Sequence, residues 1–179
     1  MIDNKHYPHS WIVLDFVISV CYNKGWILKA RRIPMNKIEL YEHRVSYYET
    51  DQMGIVHHSN YIRWFEDARV DFLEKVGFSY DKMEELGVMI VVLGASCEYK
   101  FSARFGDRVI IIPKISEFNG FKLTVTYRVL NKADGTLLAT GETKHCFTDL
   151  NLKPVRTKKD YPDIYKVFSD YMGVDLDAE

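Results

Sequence analysis

Cysteine is scarce in this 179-residue chain: Cys21, Cys97 and Cys146 are the full set, an odd number at wide spacing. That excludes a disulfide framework and offers no ligand spacing for zinc or an iron–sulfur cluster. It fits a reduced, cytoplasmic setting in which Cys97 and Cys146, both inside apolar strand-like runs, are inert core thiols. An excess of charge of either sign is lacking too. The 24 basic and 25 acidic residues leave a net charge of -1. The short basic runs Lys29–Arg32 and Arg156–Lys159 read as solvated loops. Nucleic-acid binding needs basic residues gathered on one face and is not expected. A long hydrophobic run is also missing. Ser10 to Tyr22, SWIVLDFVISVCY, is interrupted by Asp15 and too short to span a bilayer. Its basic flank follows rather than precedes it, so no secretory signal is expected.

What remains is an ordinary globular composition, 47% apolar and 27% charged, at a length that suits one domain with a real core. Ile33-Pro34 breaks the pattern, and Met35 opens a segment that reads as a domain start. We therefore divide the chain into an N-terminal extension outside the core fold, residues 1–34, and one domain, residues 35–179.

Within that domain Lys37 to Tyr48 reads as a strand, with Tyr47 and Tyr48 packing locally. A helix is expected from about Asn60 to Lys75, because Tyr61, Phe65, Ala68, Phe72 and Val76 recur three and four apart and share one face. Ser59 or Asn60 suits its N-cap, and Gly77 its end. Val88–Lys100, Asp107–Phe118, Lys122–Asn131 and Leu137–Thr148 are rich in strand formers, with Asn119-Gly120 and Asp134-Gly135 as hairpin turns. A short helix around Tyr161 to Tyr171 closes the chain. One long helix followed by successive hairpins is an α+β arrangement, an antiparallel sheet around a single helix. The unalternating run Val109–Ile112 implies a sheet region covered on both faces, by oligomerisation or by the terminal segments.

The loop before the helix is crowded. Asp51, Gly54, His57, His58, Ser59 and Asn60 fall within ten positions, more chemistry than a connection needs. His57 and His58 do not read as a metal pair, since sequence neighbours rarely converge on one ion and no third ligand is evident. An aspartate here is either a turn former or a reactive carboxylate.

The stretch YETDQMGIVHHSNY, Tyr48 to Tyr61, resembles the signature of hotdog-fold acyl-CoA thioesterases of the 4-hydroxybenzoyl-CoA thioesterase type, including the YbgC-like subgroup. An aspartate stands three residues before a glycine, followed by an aliphatic pair and a polar turn ending in Asn-Tyr. Tyr99 to Asp107, YKFSARFGD, resembles the second recurring stretch of that family, with Ser102 where proline is common. The resemblance covers Met35 to about Tyr171.

It implies a hotdog fold, a homodimer or homotetramer with active sites at the subunit interface, and hydrolysis of a short, medium-chain or aromatic acyl thioester of coenzyme A or acyl carrier protein without a cofactor. Asp51 would then be nucleophile or general base. The backbone N–H of His58 would hold the oxyanion at the helix start, and its imidazole would serve as acid or orienting donor. Gly54, Val56, His57, Asn60 and Tyr61 are the expected substrate contacts, Asn60 being equally a helix cap. Glu66 is a second, lower-ranked carboxylate. Arg104 and Lys100 are either phosphate contacts or strand-end solubilising groups. Two other functions stay open on the same fold: a hydratase or dehydratase of acyl thioesters, and a non-catalytic module that binds them.

Overall fold

A computed structural model describes residues 38–176. The proposed extension and the expected strand start at Lys37 lie outside the described residues. The chain runs β1 (Tyr41–Arg44), a 3₁₀ turn (Tyr47–Glu49), α1 (Ser59–Lys75), α2 (Tyr80–Glu85), β2 (Met89–Tyr99), β3 (Arg108–Phe118), β4 (Lys122–Asn131), β5 (Leu137–Thr148), α3 (Thr157–Asp160) and α4 (Pro162–Asp170). The strands form one antiparallel sheet in the order β1-β3-β4-β5-β2. This is the α+β arrangement read from the sequence.

Period-two patterning builds the face that meets α1. Leu123, Val125, Tyr127 and Val129 of β4 are all buried, as are Val109, Ile111 and Ile115 of β3. Against them α1 buries the expected stripe of Tyr61, Phe65, Ala68, Phe72 and Val76, together with Trp64 and Leu73. Phe65 stacks on Tyr127 with ring centroids 4.4 Å apart. This approach is so close that a Cβ on Gly141 would stand 2.2 Å from the Phe65 ring. Only glycine lets the helix sit this deep. Gly77 ends α1 at φ +83°, with Phe78 N–H donating to the Leu73 carbonyl at 2.9 Å, a left-handed C-terminal turn.

The first expected strand needs correction. Pairing covers only Tyr41–Arg44, and Tyr47 and Tyr48 sit in the 3₁₀ turn with their side chains exposed. The turn forms because Glu49 reaches back to the Ser46 N–H at 2.6 Å, which competes with strand continuation. The helices α2 and α3 were not anticipated; at six and four residues they are too short to show a period. The terminal helix α4 is where it was expected, burying Ile164, Val167 and Phe168.

The outer face of β3 is closed in part by the C-terminal segment. Gly173 N–H donates to the Ile115 carbonyl at 2.8 Å, and Lys114 pairs with Asp175 at 2.8 Å. Ile112 is buried and lines the same cavity as Leu176, so a terminal segment supplies some of the second covering that the apolar run implied. None of the helices in the described residues is long and apolar enough to cross a membrane.

Candidate active site

The crowded loop folds as a miniature hairpin. Thr50 and Val56 form an antiparallel bridge. Between them Asp51 N–H donates to the Ile55 carbonyl and Gly54 N–H to the Asp51 carbonyl, both at 2.9 Å. Met53 N–H donates to Asp51 Oδ1 at 2.8 Å. The second carboxylate oxygen of Asp51 has no partner among the described residues, and the side chain is half-buried. Gly54 turns the chain at φ +71°. An added Cβ would find room there, 3.8 Å from the Arg104 guanidinium. Backbone conformation, not space, therefore calls for glycine.

The second recurring stretch lies alongside this hairpin. The Val56 N–H donates to the Ala103 carbonyl at 2.9 Å, and Arg104 Nη1 reaches the Gly54 carbonyl at 3.5 Å. Lys100 instead pairs with Glu98 at 2.8 Å on the surface.

At the helix entry neither Ser59 nor Asn60 caps α1 with its side chain. His58 occupies the cap position in a helical conformation, φ -51° and ψ -33°. The His57 Nδ1 accepts from Ser59 Oγ at 2.8 Å, while the Asn60 side chain turns inward to donate to the Glu49 carbonyl at 2.8 Å. The His58 N–H finds no acceptor among the described residues and stands at the positive end of a 17-residue helix. Its imidazole is exposed beside that of His57, ring centroids 4.0 Å apart. Tyr99 O–H donates to the His58 carbonyl at 3.1 Å, which ties the end of β2 to the helix start.

Asp51 and His57 thus lie on the two arms of one tight turn with Gly54 at its tip and His58 at the helix entry that follows; Gly54 and His58 are exposed, Asp51 and His57 half-buried. Val56, Asn60 and Tyr61 are buried in this chain and shape the loop from below. Glu66 is exposed on the outer side of α1.

Reading the sequence missed the residue on which the loop rests. Glu49 is 4% exposed. Its carboxylate accepts from Trp64 Nε1 at 2.8 Å, from the Ser46 N–H at 2.6 Å and from His43 Nε2 at 2.8 Å. Its backbone carbonyl accepts from Asn60 Nδ2 and from the His57 N–H, each at 2.8 Å. Burial pushes the Glu49 carboxyl up, but the hydrogen bonds from Ser46, His43 and Trp64 together outweigh it and hold it below the usual carboxylate range. Both oxygens are engaged, so Glu49 is no rival to Asp51 as base or nucleophile. The spacing Ser46-x-x-Glu49 was the available signal, a capping-box pattern ahead of a turn.

A family model described as the thioesterase-like superfamily matches residues 45–166. The acyl-CoA thioester hydrolase YbgC of Escherichia coli O157:H7 is 35% identical over 112 residues, 62% of this chain and 83% of its own. Among solved structures, the DHNA-CoA thioesterase of Staphylococcus aureus aligns with TM-score 0.69 and 32% identity over 73% of this chain and 88% of that one. A hypothetical protein of Aquifex aeolicus aligns with TM-score 0.67 and 38% identity, covering 73% and 98%. With a sheet folded around α1, the Asp51 turn at its N-terminus and these likenesses, the chain belongs to the thioesterase-like superfamily and has the hotdog fold of its acyl-CoA thioesterases.

Proposed function

We propose that this protein hydrolyses acyl-CoA thioesters of short, medium-chain or aromatic acids, with Asp51 as nucleophile or general base. The observation that carries the reading is the pairing of a carboxylate oxygen without a partner, on one arm of the turn, with an open N–H at the helix start that follows the other arm. The thioester carbonyl sits between them. Attack on its carbon, by Asp51 directly or by a water that Asp51 deprotonates, drives the carbonyl electrons onto oxygen. The His58 N–H and the helix dipole hold that oxyanion. Collapse expels the thiolate, which takes up a proton, and one water is consumed for one acid and one thiol released. On the direct route that water opens the mixed anhydride and restores Asp51. No cofactor enters these steps.

A second copy of the chain completes the enzyme in this reading. Among the described residues the sheet ends on β1 and β2, and β1 is only four residues long. The other, β2, runs eleven residues with Val92 54% and Leu93 55% exposed. A long apolar edge is a template for pairing with another chain. Its far end, Tyr99, touches the helix entry, so a partner seated there would border the catalytic turn. Residues 1–34 stand outside this chemistry.

Free-thiol release from short-chain, long-chain and aromatic acyl-CoAs tests the proposal, with wild type and Asp51→Ala side by side. Turnover on at least one substrate, lost in a folded Asp51→Ala protein, is the expected result. Hydrated thioester instead of free thiol would make the protein a hydratase. Failure on every acyl-CoA and acyl carrier protein thioester would leave a binding module.

A further inference from the structure

The buried cluster around Glu49 joins three elements. His43 comes from β1, Ser46 and Glu49 from the 3₁₀ turn, and Trp64 from the second turn of α1. The carboxylate meets three donors and no acceptor, so it is held as an anion whose two oxygens are both shared. His43 must carry its proton on Nε2 to take part. The same residue's carbonyl holds the His57 N–H and the Asn60 side chain. One residue therefore grips the helix by its side chain and the helix entry by its backbone. The peptide that follows His57 is the one that presents the His58 N–H, and Asp51 is two residues from Glu49 along the other arm.

We infer that Glu49 is the positioning residue of this site: its buried carboxylate clamps the Asp51 turn to α1 and sets the direction of the His58 N–H. The inference rests on the reaction proposed above. Glu49 touches neither substrate nor reacting atoms. Its effect is geometric, and a displacement near 1 Å at a reacting centre costs about 100-fold in rate. The donor pattern also specifies the chemistry of the clamp. Glutamine has the same shape, but its amide would turn N–H₂ toward one of three donors, leaving that donor unpaired.

The experiment compares wild type, Asp51→Ala, Glu49→Gln and Trp64→Phe by steady-state thiol release and by amide hydrogen exchange. Trp64→Phe keeps the aromatic packing, removes a single donor, and remains available should Glu49→Gln fail to fold. Glu49→Gln is expected to lose about 10- to 100-fold in kcat with KM within about twofold of wild type. Trp64→Phe is expected to lose less, in the same parameter. In both, exchange quickens across residues 49–60 and stays unchanged in β3, β4 and β5. Asp51→Ala abolishes turnover with exchange in that segment as in wild type. Wild-type kcat in either clamp variant overturns the inference, as does a loss accompanied by faster exchange throughout the sheet, which marks a merely structural role. Absence of turnover in the wild type overturns the proposed reaction instead. Exchange then judges the clamp alone: quickening confined to residues 49–60 upholds it, and no change overturns it.

Discussion

Asp51 is held by its backbone more than by its side chain. Its N–H and carbonyl both close the turn, while the carboxylate gives one oxygen to the Met53 N–H and leaves the other open. Asp51→Asn keeps the acceptor that Met53 needs and removes the negative charge. We expect kcat to fall by about 100- to 10,000-fold, the usual span for a lost general base, with the melting temperature within about 2 °C of wild type because no buried contact changes. Steady-state kinetics and a thermal melt on the same preparation check both halves. Glu66→Gln serves as the matched control: an exposed helical carboxylate, its neutralisation leaves kcat at the wild-type level. At this scale the sequence was informative about Asp51 and Gly54, whose spacing is local. It said little about Glu49, because a glutamate becomes a clamp only when His43, Ser46 and Trp64 are brought to it.

Between elements, a polar chain crosses the core where α1 meets the sheet. Arg69 donates through Nε to Tyr80 Oη at 2.9 Å and through Nη1 to Tyr127 Oη at 3.1 Å. The Tyr127 hydroxyl lies 2.8 Å from Thr143 Oγ1, which lies 2.7 Å from His145 Nε2. With Arg69 donating to it, the Tyr127 hydroxyl donates its hydrogen bond to Thr143, and the Thr143 hydroxyl donates to the Nε2 of a neutral imidazole. His145 Nδ1 is buried without a hydrogen-bond partner among the described residues. Burial, and behind it the Arg69 charge, pushes the His145 pKa down from 6.5 to about 4. The unfolded chain takes up the proton that the fold excludes. Stability is therefore complete above about pH 6.5 and declines as pH falls toward 4, by about 3 kcal/mol from this group. Thermal melts between pH 7 and 4 should show that decline, and His145→Gln should flatten it. A slope identical in the two proteins would show that His145 titrates freely.

For the whole molecule, the proposed pairing of two copies rests on the edge of β2, which has no neighbouring strand beyond it among the described residues. Leu93 is the extra residue where the β2–β5 register shifts, between Val92 and Gly94. A charge at that position blunts an edge against pairing. Leu93→Glu is expected to convert a dimer, or a tetramer built from it, into monomers by light scattering, with loss of thiol release although the far-ultraviolet circular dichroism is unchanged. Wild-type mass and activity in that variant would remove the β2 edge from the assembly.

The sequence by itself determined the elements whose signals are short-range. The bounds of β4 and β5 are those expected, and α1 begins one residue before its expected start. Periodicity and turn chemistry act within a few residues and need no partner to be read. The same holds for the Asp51 turn, whose closing hydrogen bonds, from the Asp51, Met53 and Gly54 N–H groups, stay within it. Tertiary structure alone decided which polar groups go inside. Arg69 meets Tyr127 across 58 positions and Trp64 meets Glu49 across 15. Tyr47 and Tyr48, strand-like in composition, end in a turn because Glu49 reaches back to Ser46 and inward to Trp64. Burial of a charge is tolerated only where its partners converge, and that convergence is a property of the assembled fold.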